Sequence, residues 1–191
     1  MDFKGEMERL RELVIERSFS YGYFTLSSGK ESLYYFDGRL TSLWPEGAYL
    51  IGKSILRVVR EARLQAVGGP TIGADPIVSA VALMSYLEGS PIPGFIVRKE
   101  PKKHGGQRHI EGILPEKANV AIVDDVVTTG GSLLRVIEVV EAAGCHVGQV
   151  IVVVDRQEGG SDEIKNRGYE LTSLLSADQK GNVSISAPLS R

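Results

Sequence analysis

The residue types best suited to chemistry lie at residues 120–132, which read VAIVDDVVTTGGS. Four apolar residues precede two adjacent carboxylates, Asp124 and Asp125, and a run of hydroxyl residues and glycines follows. The apolar residues predict a buried strand, and the carboxyl ends of such strands are where open α/β sheets bind ligands. The segment therefore predicts a ligand site at a strand end.

The second half of this segment suits a phosphate group. A helix start offers unpaired N–H groups and a partial positive charge, and glycines let the backbone approach the phosphate oxygens. The carboxylates would repel phosphate, so sugar hydroxyls or a hydrated divalent cation are their partners. A ribose 5′-phosphate satisfies both halves, whereas a lone acid pair or glycine pair would more simply be a cap and a tight bend. The phosphate-binding candidates are Thr128, Thr129, Gly130, Gly131 and Ser132.

Basic side chains are concentrated between Arg98 and Arg108, where five lysines and arginines stand against one acid, Glu100. Residues 102–106 read KKHGG, a composition typical of a mobile loop. A mobile cationic loop can hold a pyrophosphate and exclude water during group transfer. Taken alone, these basic residues could equally form a solvated hairpin or a loop tip that contacts RNA.

Arg156 directly follows a β-branched run at residues 147–154 that predicts a strand buried on both faces. A guanidinium at a strand end is suited to bidentate binding of a carboxylate. The plainer alternative is an ion pair with Asp155 or Glu158.

A second phosphate-binding pattern occurs at residues 47–54, which match G-x-x-x-x-G-K-S. The pattern needs a strand before it and a polar loop within it. Here DGRLTSLWPE precedes it, and bulky residues that favour a helix fill it. We therefore interpret the segment as part of an amphipathic helix that begins at Pro45.

The bulk properties predict one domain over residues 1–191, with a core at about residues 45–175. The chain has 42% hydrophobic residues and a net charge of −2, so its overall charge does not attract nucleic acid or a membrane surface. The N-terminus does not resemble a signal peptide, and no apolar run reaches the roughly 18 residues of a membrane span. One cysteine and three histidines offer neither a disulfide nor zinc-ligand spacing. We expect a cytoplasmic protein.

Strand-like and helix-like segments alternate along most of the chain, which predicts an α/β fold with a parallel sheet. The helices are expected at about residues 10–17, 45–62, 76–87 and 132–143. Strands are expected at residues 23–26, 33–36, 64–67, 94–99, 120–123 and 147–154. From Gly181 onward the pattern is weak.

The string at residues 120–132 resembles the signature of type I phosphoribosyltransferases. The resemblance implies a central, mostly parallel sheet flanked by helices, with a small N-terminal hood (about residues 1–40 and the C-terminal tail) over the base site. It also implies that the two acids hold the ribose hydroxyls of 5-phosphoribosyl-1-pyrophosphate (PRPP), while residues 128–132 surround the 5′-phosphate. Val126 and Val127 are further PRPP-binding candidates.

Residues 98–105, RKEPKKHG, resemble the catalytic loop of orotate phosphoribosyltransferases. The resemblance implies that Lys102 and His104 act in catalysis by reaching pyrophosphate oxygens, and that Arg98 and Lys99 are the paired basic residues before the loop. It extends to residues 24–37, which implies that this region covers the base. The candidates there are Tyr35 and Phe36 for the orotate ring and Lys30 for pyrophosphate, with ordinary core aromatics as the alternative. Thr128 and Arg156 complete the orotate site.

The implied reaction makes orotidine 5′-monophosphate and pyrophosphate from PRPP and orotate, in pyrimidine biosynthesis. Mg²⁺ is expected to bind through substrate oxygens, with at most water-mediated contact to the two acids. The family also implies a homodimer in which the loop at residues 100–111 enters the neighbour's site, and a separate decarboxylase partner is left open.

Two departures from the family concern the pyrophosphate contacts. The loop at residues 68–75 lacks a lysine that some members carry, and Ser27 stands where some have lysine. The alternatives are a purine or uracil phosphoribosyltransferase, or a PRPP-sensing regulator that acts on nucleic acid. The regulator would need a DNA-binding module or a broad basic face, and the chain has neither signal.

Overall fold

The computed structural model describes residues 2–25, 31–100 and 109–186. Within these residues the elements, in chain order, are α1 (Phe3–Ser18), β1 (Phe19–Thr25), β2 (Glu31–Phe36), α2 (Arg39–Ser42), α3 (Pro45–Glu61), β3 (Ala66–Pro70), α4 (Asp75–Leu87), β4 (Gly94–Val97), β5 (Ile110–Gly112), β6 (Asn119–Val127), α5 (Gly131–Ala142), β7 (His146–Asp155), α6 (Gly160–Asn166), β8 (Leu171–Ala177) and β9 (Val183–Ile185). None of the helices in this part of the chain is long and apolar enough to cross a membrane.

Seven of these strands form one sheet in the order β5-β4-β3-β6-β7-β8-β9. The neighbours from β4 to β8 pair in parallel, and the two edge pairs are antiparallel. β1 and β2 form a separate antiparallel pair, which lies within the expected hood, and from here on the hood means these two strands. The predicted mostly parallel α/β sheet is confirmed.

The sheet reverses its direction of growth between β3 and β6. The chain proceeds from β3 to β4 on one side and from β6 to β7 on the other. α4 and α5 cover opposite faces, since Val81 of α4 shares an apolar cluster with Val123, whereas Leu133 of α5 shares the other cluster with Ile122. With helices on opposite faces, the carboxyl ends of β3 and β6 border an open crevice.

Burial on both faces explains the apolar composition of β7. Residues 150–154 of this strand are each at most 2% exposed. Each fully buried valine or isoleucine contributes about 1.5–3 kcal/mol to stability. β7 is therefore anchored strongly enough to carry polar groups at its end.

The predicted bounds of α3, α4 and α5 agree with the structure to within one residue. The predicted end of β6 at residue 123 is wrong, because its pairing with β7 continues to Val127 opposite Asp155. The acid pair therefore lies inside the strand. Sequence reasoning also missed short elements that depend on neighbours for their formation, namely α2, β5, α6, β8 and β9.

Residues 47–54 lie inside α3, as interpreted from the sequence. Gly47 packs against the Thr41 carbonyl, and a Cβ on Gly52 would lie 3.0 Å from the Cβ of Ala80 in α4. Lys53 pairs at 2.6 Å with Glu6 of α1. The glycines and lysine of this P-loop-like pattern thus serve helix packing.

We expect Gly47→Ala to destabilise the protein by about 1–3 kcal/mol, because the added methyl would meet the backbone of Thr41. This exceeds the helix-propensity gain of about 1 kcal/mol from alanine. The control is Gly131→Ala, also in a first helical turn, where a Cβ would meet nothing within 4 Å. Urea unfolding should place the control at or above the parent, and a Gly47→Ala variant of parental stability would contradict the packing argument.

Candidate active site

A cavity of about 560 Å³ opens at the carboxyl ends of β3 and β6. Its wall combines residues that are distant in sequence: residues 36–39 from the end of β2, residues 70–73 from the end of β3, residues 97–99 from the end of β4, and parts of β6 and α5. The site predicted from residues 120–132 therefore coincides with the crevice created by the sheet topology.

Asp124 and Asp125 both reach this cavity although they are only 6% and 8% exposed. One oxygen of Asp124 accepts a hydrogen bond from the Asp125 backbone N–H at 3.0 Å, and the other accepts from the Ser132 hydroxyl at 3.4 Å. Burial raises the pKa of Asp124 well above its ordinary value, and the Asp125 charge adds to the effect. Two carboxylates held in this way favour hydroxyl donors or a cation that share their charge.

Burial also raises the pKa of Asp125, although the hydrogen bond with Asp124 and the charge of Arg39 oppose the shift. Arg39 lines the cavity and is held by Asp37, with Nε to Oδ1 at 2.8 Å and Nη2 to Oδ2 at 2.9 Å. The hydrogen bond from Arg39 in turn lowers the pKa of Asp37. Arg39 is thus a cation beside the acid pair that the sequence analysis did not identify.

Two glycines allow the chain to close around the acids. A Cβ on Gly73 would lie 2.5 Å from Asp124 Oδ1 and 2.6 Å from Asp125 Oδ1. A Cβ on Gly38 would lie 2.8 Å from Asp125 Oδ2. The glycine-rich loop at residues 68–75 was noted in the sequence, but nothing near Gly38 in the sequence indicates its contact with a distant strand.

The start of α5 has the features expected of a phosphate site. Gly130 caps the helix with a positive φ of 81° and has no side chain to occupy the first-turn N–H groups. Gly131, Ser132 and Val126 line the cavity, whereas Val127, Thr128, Thr129 and Gly130 lie outside its wall.

Gly160 supports the loop at residues 128–130 from behind. Its N–H donates to the Thr128 carbonyl at 2.8 Å, and a Cβ there would lie 2.6 Å from the Gly130 nitrogen. The sequence analysis missed Gly160, and the only local signal is a glycine pair after β7. The loop that precedes α5 therefore depends on close packing against α6.

Arg98 and Lys99 line the cavity, as expected from the sequence. Arg135, on the exposed side of α5, lines it as well and was not identified. Lys30, Lys102 and His104 lie outside the described residues. Basic side chains from α2, from the residues that follow β4 and from α5 thus surround a cavity that also contains two acids.

Of the residues expected at the base, Phe36 and Arg156 line two different cavities, and Tyr35 and Thr128 line neither of them. Phe36 is buried and lines the large cavity, whereas Tyr35 is 45% exposed and contacts Phe24. Arg156 lines a second cavity of about 280 Å³, together with Tyr34 and Glu158. The backbone N–H of Arg156 donates to the Val127 carbonyl at 3.1 Å, which places Arg156 on the same edge of the sheet as Asp124 and Asp125.

The ion pair weighed for Arg156 forms with Glu158, at 2.9 Å from Nε to Oε1. Asp155 instead accepts hydrogen bonds from Ser161 and from the Gln157 N–H. The Tyr34 hydroxyl lies 3.2 Å from the same Nε atom. Tyr34 is not among the residues expected from the sequence, because nothing local distinguishes it from the adjacent aromatic residues Tyr35 and Phe36.

Among the described residues, no group of three or more histidine, cysteine, aspartate or glutamate side chains is arranged to hold a metal ion. The acid pair supplies oxygen donors, which Mg²⁺ prefers. The donor set therefore fits a cation that takes most of its ligands from a substrate.

Comparison with known proteins connects this geometry to a family. Residues 73–184 match the family model described as phosphoribosyl transferase domain. The orotate phosphoribosyltransferase of Aquifex aeolicus is 46% identical over 89% of this chain and 94% of its own length. The structure of Mycobacterium tuberculosis orotate phosphoribosyltransferase with Fe(III) dicitrate superposes with a TM-score of 0.80 at 38% identity, covering 90% of this chain and 96% of that one.

A second structure of the M. tuberculosis enzyme, in complex with PRPP, has a TM-score of 0.76 at 34% identity over 90% of this chain and 96% of that one. The similarity therefore extends over nearly the whole chain and includes the sheet edge that carries the cavity. This chain belongs to the phosphoribosyltransferases, and within them to the orotate phosphoribosyltransferase family.

Proposed function

We propose that the chain transfers the 5-phosphoribosyl group of PRPP to N1 of orotate, releasing pyrophosphate and forming orotidine 5′-monophosphate. One observation carries the proposal: a single cavity contains a buried acid pair, a helix start that has no side-chain cap and a set of cations. These three features match the ribose hydroxyls, the 5′-phosphate and the pyrophosphate of PRPP. The relatives named above are orotate phosphoribosyltransferases, which supports orotate as the acceptor.

The acid pair binds the ribose in this proposal. Asp124 and Asp125 accept hydrogen bonds from the ribose hydroxyls, whose donors relieve the charge repulsion between the two carboxylates. The transition state resembles an oxocarbenium ion, and the nearby carboxylates stabilise its positive charge. No covalent nucleophile is needed, because aligned substrates and a stabilised leaving group suffice.

The 5′-phosphate binds at the start of α5, through the N–H groups and hydroxyls of residues 128–132. The pyrophosphate faces Arg98 and Lys99, with Lys102, His104 and Lys30 from outside the described residues as further ligands. These cations oppose the negative charge that grows on the leaving group. Mg²⁺, bound mainly through substrate oxygens near the acid pair, supplies additional positive charge when present.

The base binds between the hood and the ends of β6 and β7. Arg156 recognises the carboxylate that distinguishes orotate from uracil, and Thr128 lies one residue beyond its backbone partner Val127. Phe36 packs near the ring, whereas Tyr35 lines neither cavity and its contact with the ring stays a prediction. A buried guanidinium suits this role because its hydrogen bonds to a carboxylate are stronger where water is excluded.

The direct test measures pyrophosphate release from PRPP with orotate, uracil and hypoxanthine in parallel. Orotate should be the preferred acceptor. Faster release with uracil or hypoxanthine would favour a different base specificity on the same fold, and PRPP binding without release would favour a sensor.

We expect Arg156→Ala to lower kcat/KM for orotate by roughly 30- to 4,000-fold, as for loss of a buried charged hydrogen bond worth about 2–5 kcal/mol. The KM for PRPP should change little, because the arginine lies outside the large cavity. The control is Arg167→Ala, which removes an exposed arginine paired with Glu163 and should leave both constants unchanged. Equal weakening of both substrates by Arg156→Ala would count against carboxylate recognition.

We expect Asp124→Asn to lower turnover about 100-fold or more while stabilising the free protein at neutral pH. The pKa of Asp124 is higher in the folded protein than in the unfolded chain. The Asp124 carboxyl therefore stabilises the fold fully below its ordinary pKa of 3.8, and this stabilisation is lost as the pH rises through the folded-state pKa. Asparagine does not ionise and avoids this loss. Thermal melts should therefore place the variant above the parent at pH 7–8, with the difference shrinking toward pH 4.

Asp178→Asn provides a control of opposite sign. Hydrogen bonds from Asn182 lower the pKa of Asp178, so this carboxylate stabilises the fold above pH 3.8 and loses that effect in acid. Its asparagine variant should melt below the parent at neutral pH and approach it in acid. If Asp124→Asn instead melted far below the parent with unchanged turnover, the acid would be structural.

We further propose a homodimer in which the loop at residues 100–111 completes the partner's site. A Lys102→Ala, His104→Ala variant mixed with an Asp124→Asn, Asp125→Asn variant should then recover activity after subunit exchange. If half the dimers are hybrids, about a quarter of wild-type activity is expected, because each hybrid has one intact site.

A chain that carries all four substitutions is the control partner for the loop variant, and this mixture should recover nothing. Exchange is verified by the mass of the hybrids. Hybrids without recovered activity would exclude the shared site.

A further inference from the structure

Arg156 is held at one atom. The guanidinium, only 8% exposed, has the Tyr34 hydroxyl at 3.2 Å and Glu158 Oε1 at 2.9 Å, both measured from Nε. Among residues 2–25, 31–100 and 109–186, neither terminal amino group of Arg156 forms a hydrogen bond with another residue. The side of the guanidinium that contains Nε is therefore occupied, and its two-amino end is available.

Tyr34 is itself fixed by its surroundings. It is 1% exposed and lies in an aromatic cluster, with its ring centroid 5.1 Å from that of Phe19. Gly181 packs closely on its face, since a Cβ there would lie 3.0 Å from Tyr34 Cδ1. The Tyr21 hydroxyl holds this glycine by donating to its carbonyl at 3.1 Å. The tyrosine hydroxyl therefore has a defined position.

The ring of Tyr34 also faces the charge, with its centroid 4.7 Å from the guanidinium carbon of Arg156. A tyrosine accepts the Nε hydrogen bond without adding a negative charge, so the cation remains available to an anionic ligand. Glu158 differs in this respect, because it is charged and 27% exposed, and water screens its interaction.

A carboxylate can meet a guanidinium in two bidentate ways, through Nε and one amino group or through both amino groups. Because Nε is occupied, the second arrangement is the one open to a ligand. We propose that Tyr34 is a positioning residue that makes Arg156 present its two terminal amino groups to the carboxylate of the acceptor base. The inference rests on the proposed function and adds to it a determinant of selectivity for a carboxylated base.

The test is Tyr34→Phe, which keeps the ring and removes the hydroxyl. We expect the KM for orotate to rise about tenfold, as for loss of a hydrogen bond to a charged group. The KM for PRPP and the kcat at saturation should stay within about twofold. KM does not depend on the folded fraction of the enzyme, so the result holds even if the variant is less stable.

Tyr169→Phe is the matched control, because it removes a tyrosine hydroxyl that is hydrogen-bonded to Glu141 and lines neither cavity, and it should leave the KM for orotate unchanged. Adding Tyr34→Phe to Arg156→Ala should cause no further rise, since the tyrosine acts through the arginine. Glu158→Gln should have a smaller effect than Tyr34→Phe.

The outcomes separate this inference from the proposed function. If Arg156→Ala selectively impairs orotate but Tyr34→Phe does not, or if Glu158→Gln alone reproduces the effect, the role of Tyr34 is refuted and the function stands. An equal effect of Tyr34→Phe in the presence and absence of Arg156 would also refute it. If Arg156→Ala is not selective for orotate, the proposed role of Arg156 fails first.

Discussion

The parallel pairing of β6 with β7 continues to Val127 opposite Asp155, and most of the candidate site depends on this extension. It places Asp124 and Asp125 inside a strand, where burial raises the pKa of both. It also places Arg156 at the end of the adjacent strand, one hydrogen bond away from Val127. Functional groups attached to a sheet interior are held more precisely than groups on a loop, which suits a reaction that depends on alignment.

Burial of charge also explains the residues that surround the site. Gly38 and Gly73 leave room for the carboxylates, and the charge of Arg39 partly offsets the effect of burial on the pKa of Asp125. Arg39 and Arg156 in turn each have an acidic neighbour. Charged groups removed from water remain stable only when they are paired and hydrogen-bonded, so the site is a network of partners and not a set of independent ligands.

The hood links the two halves of the site. Phe36 lies in the wall of the large cavity, while Tyr34, two residues earlier on the same face of β2, contacts Arg156. Alternation along a strand directs these two side chains inward and Tyr35 outward, where it is 45% exposed. One short strand thereby borders both the large cavity and the guanidinium of Arg156.

The sequence by itself determined the α/β class and the bounds of the three longest central helices, and it indicated the candidate phosphate-binding segment, because apolar periodicity and the VAIVDDVVTTGGS string are local signals. It also separated the P-loop-like residues 47–54 from a true phosphate site by their helical context. Tertiary structure alone decided that Asp124 lies inside β6, that Gly38, Gly73 and Gly160 must be glycines, and that Arg39, Arg135 and Tyr34 belong to the site. Each of these depends on contact between residues far apart in the chain, and the spacing of residues along one segment carries no information about such contacts.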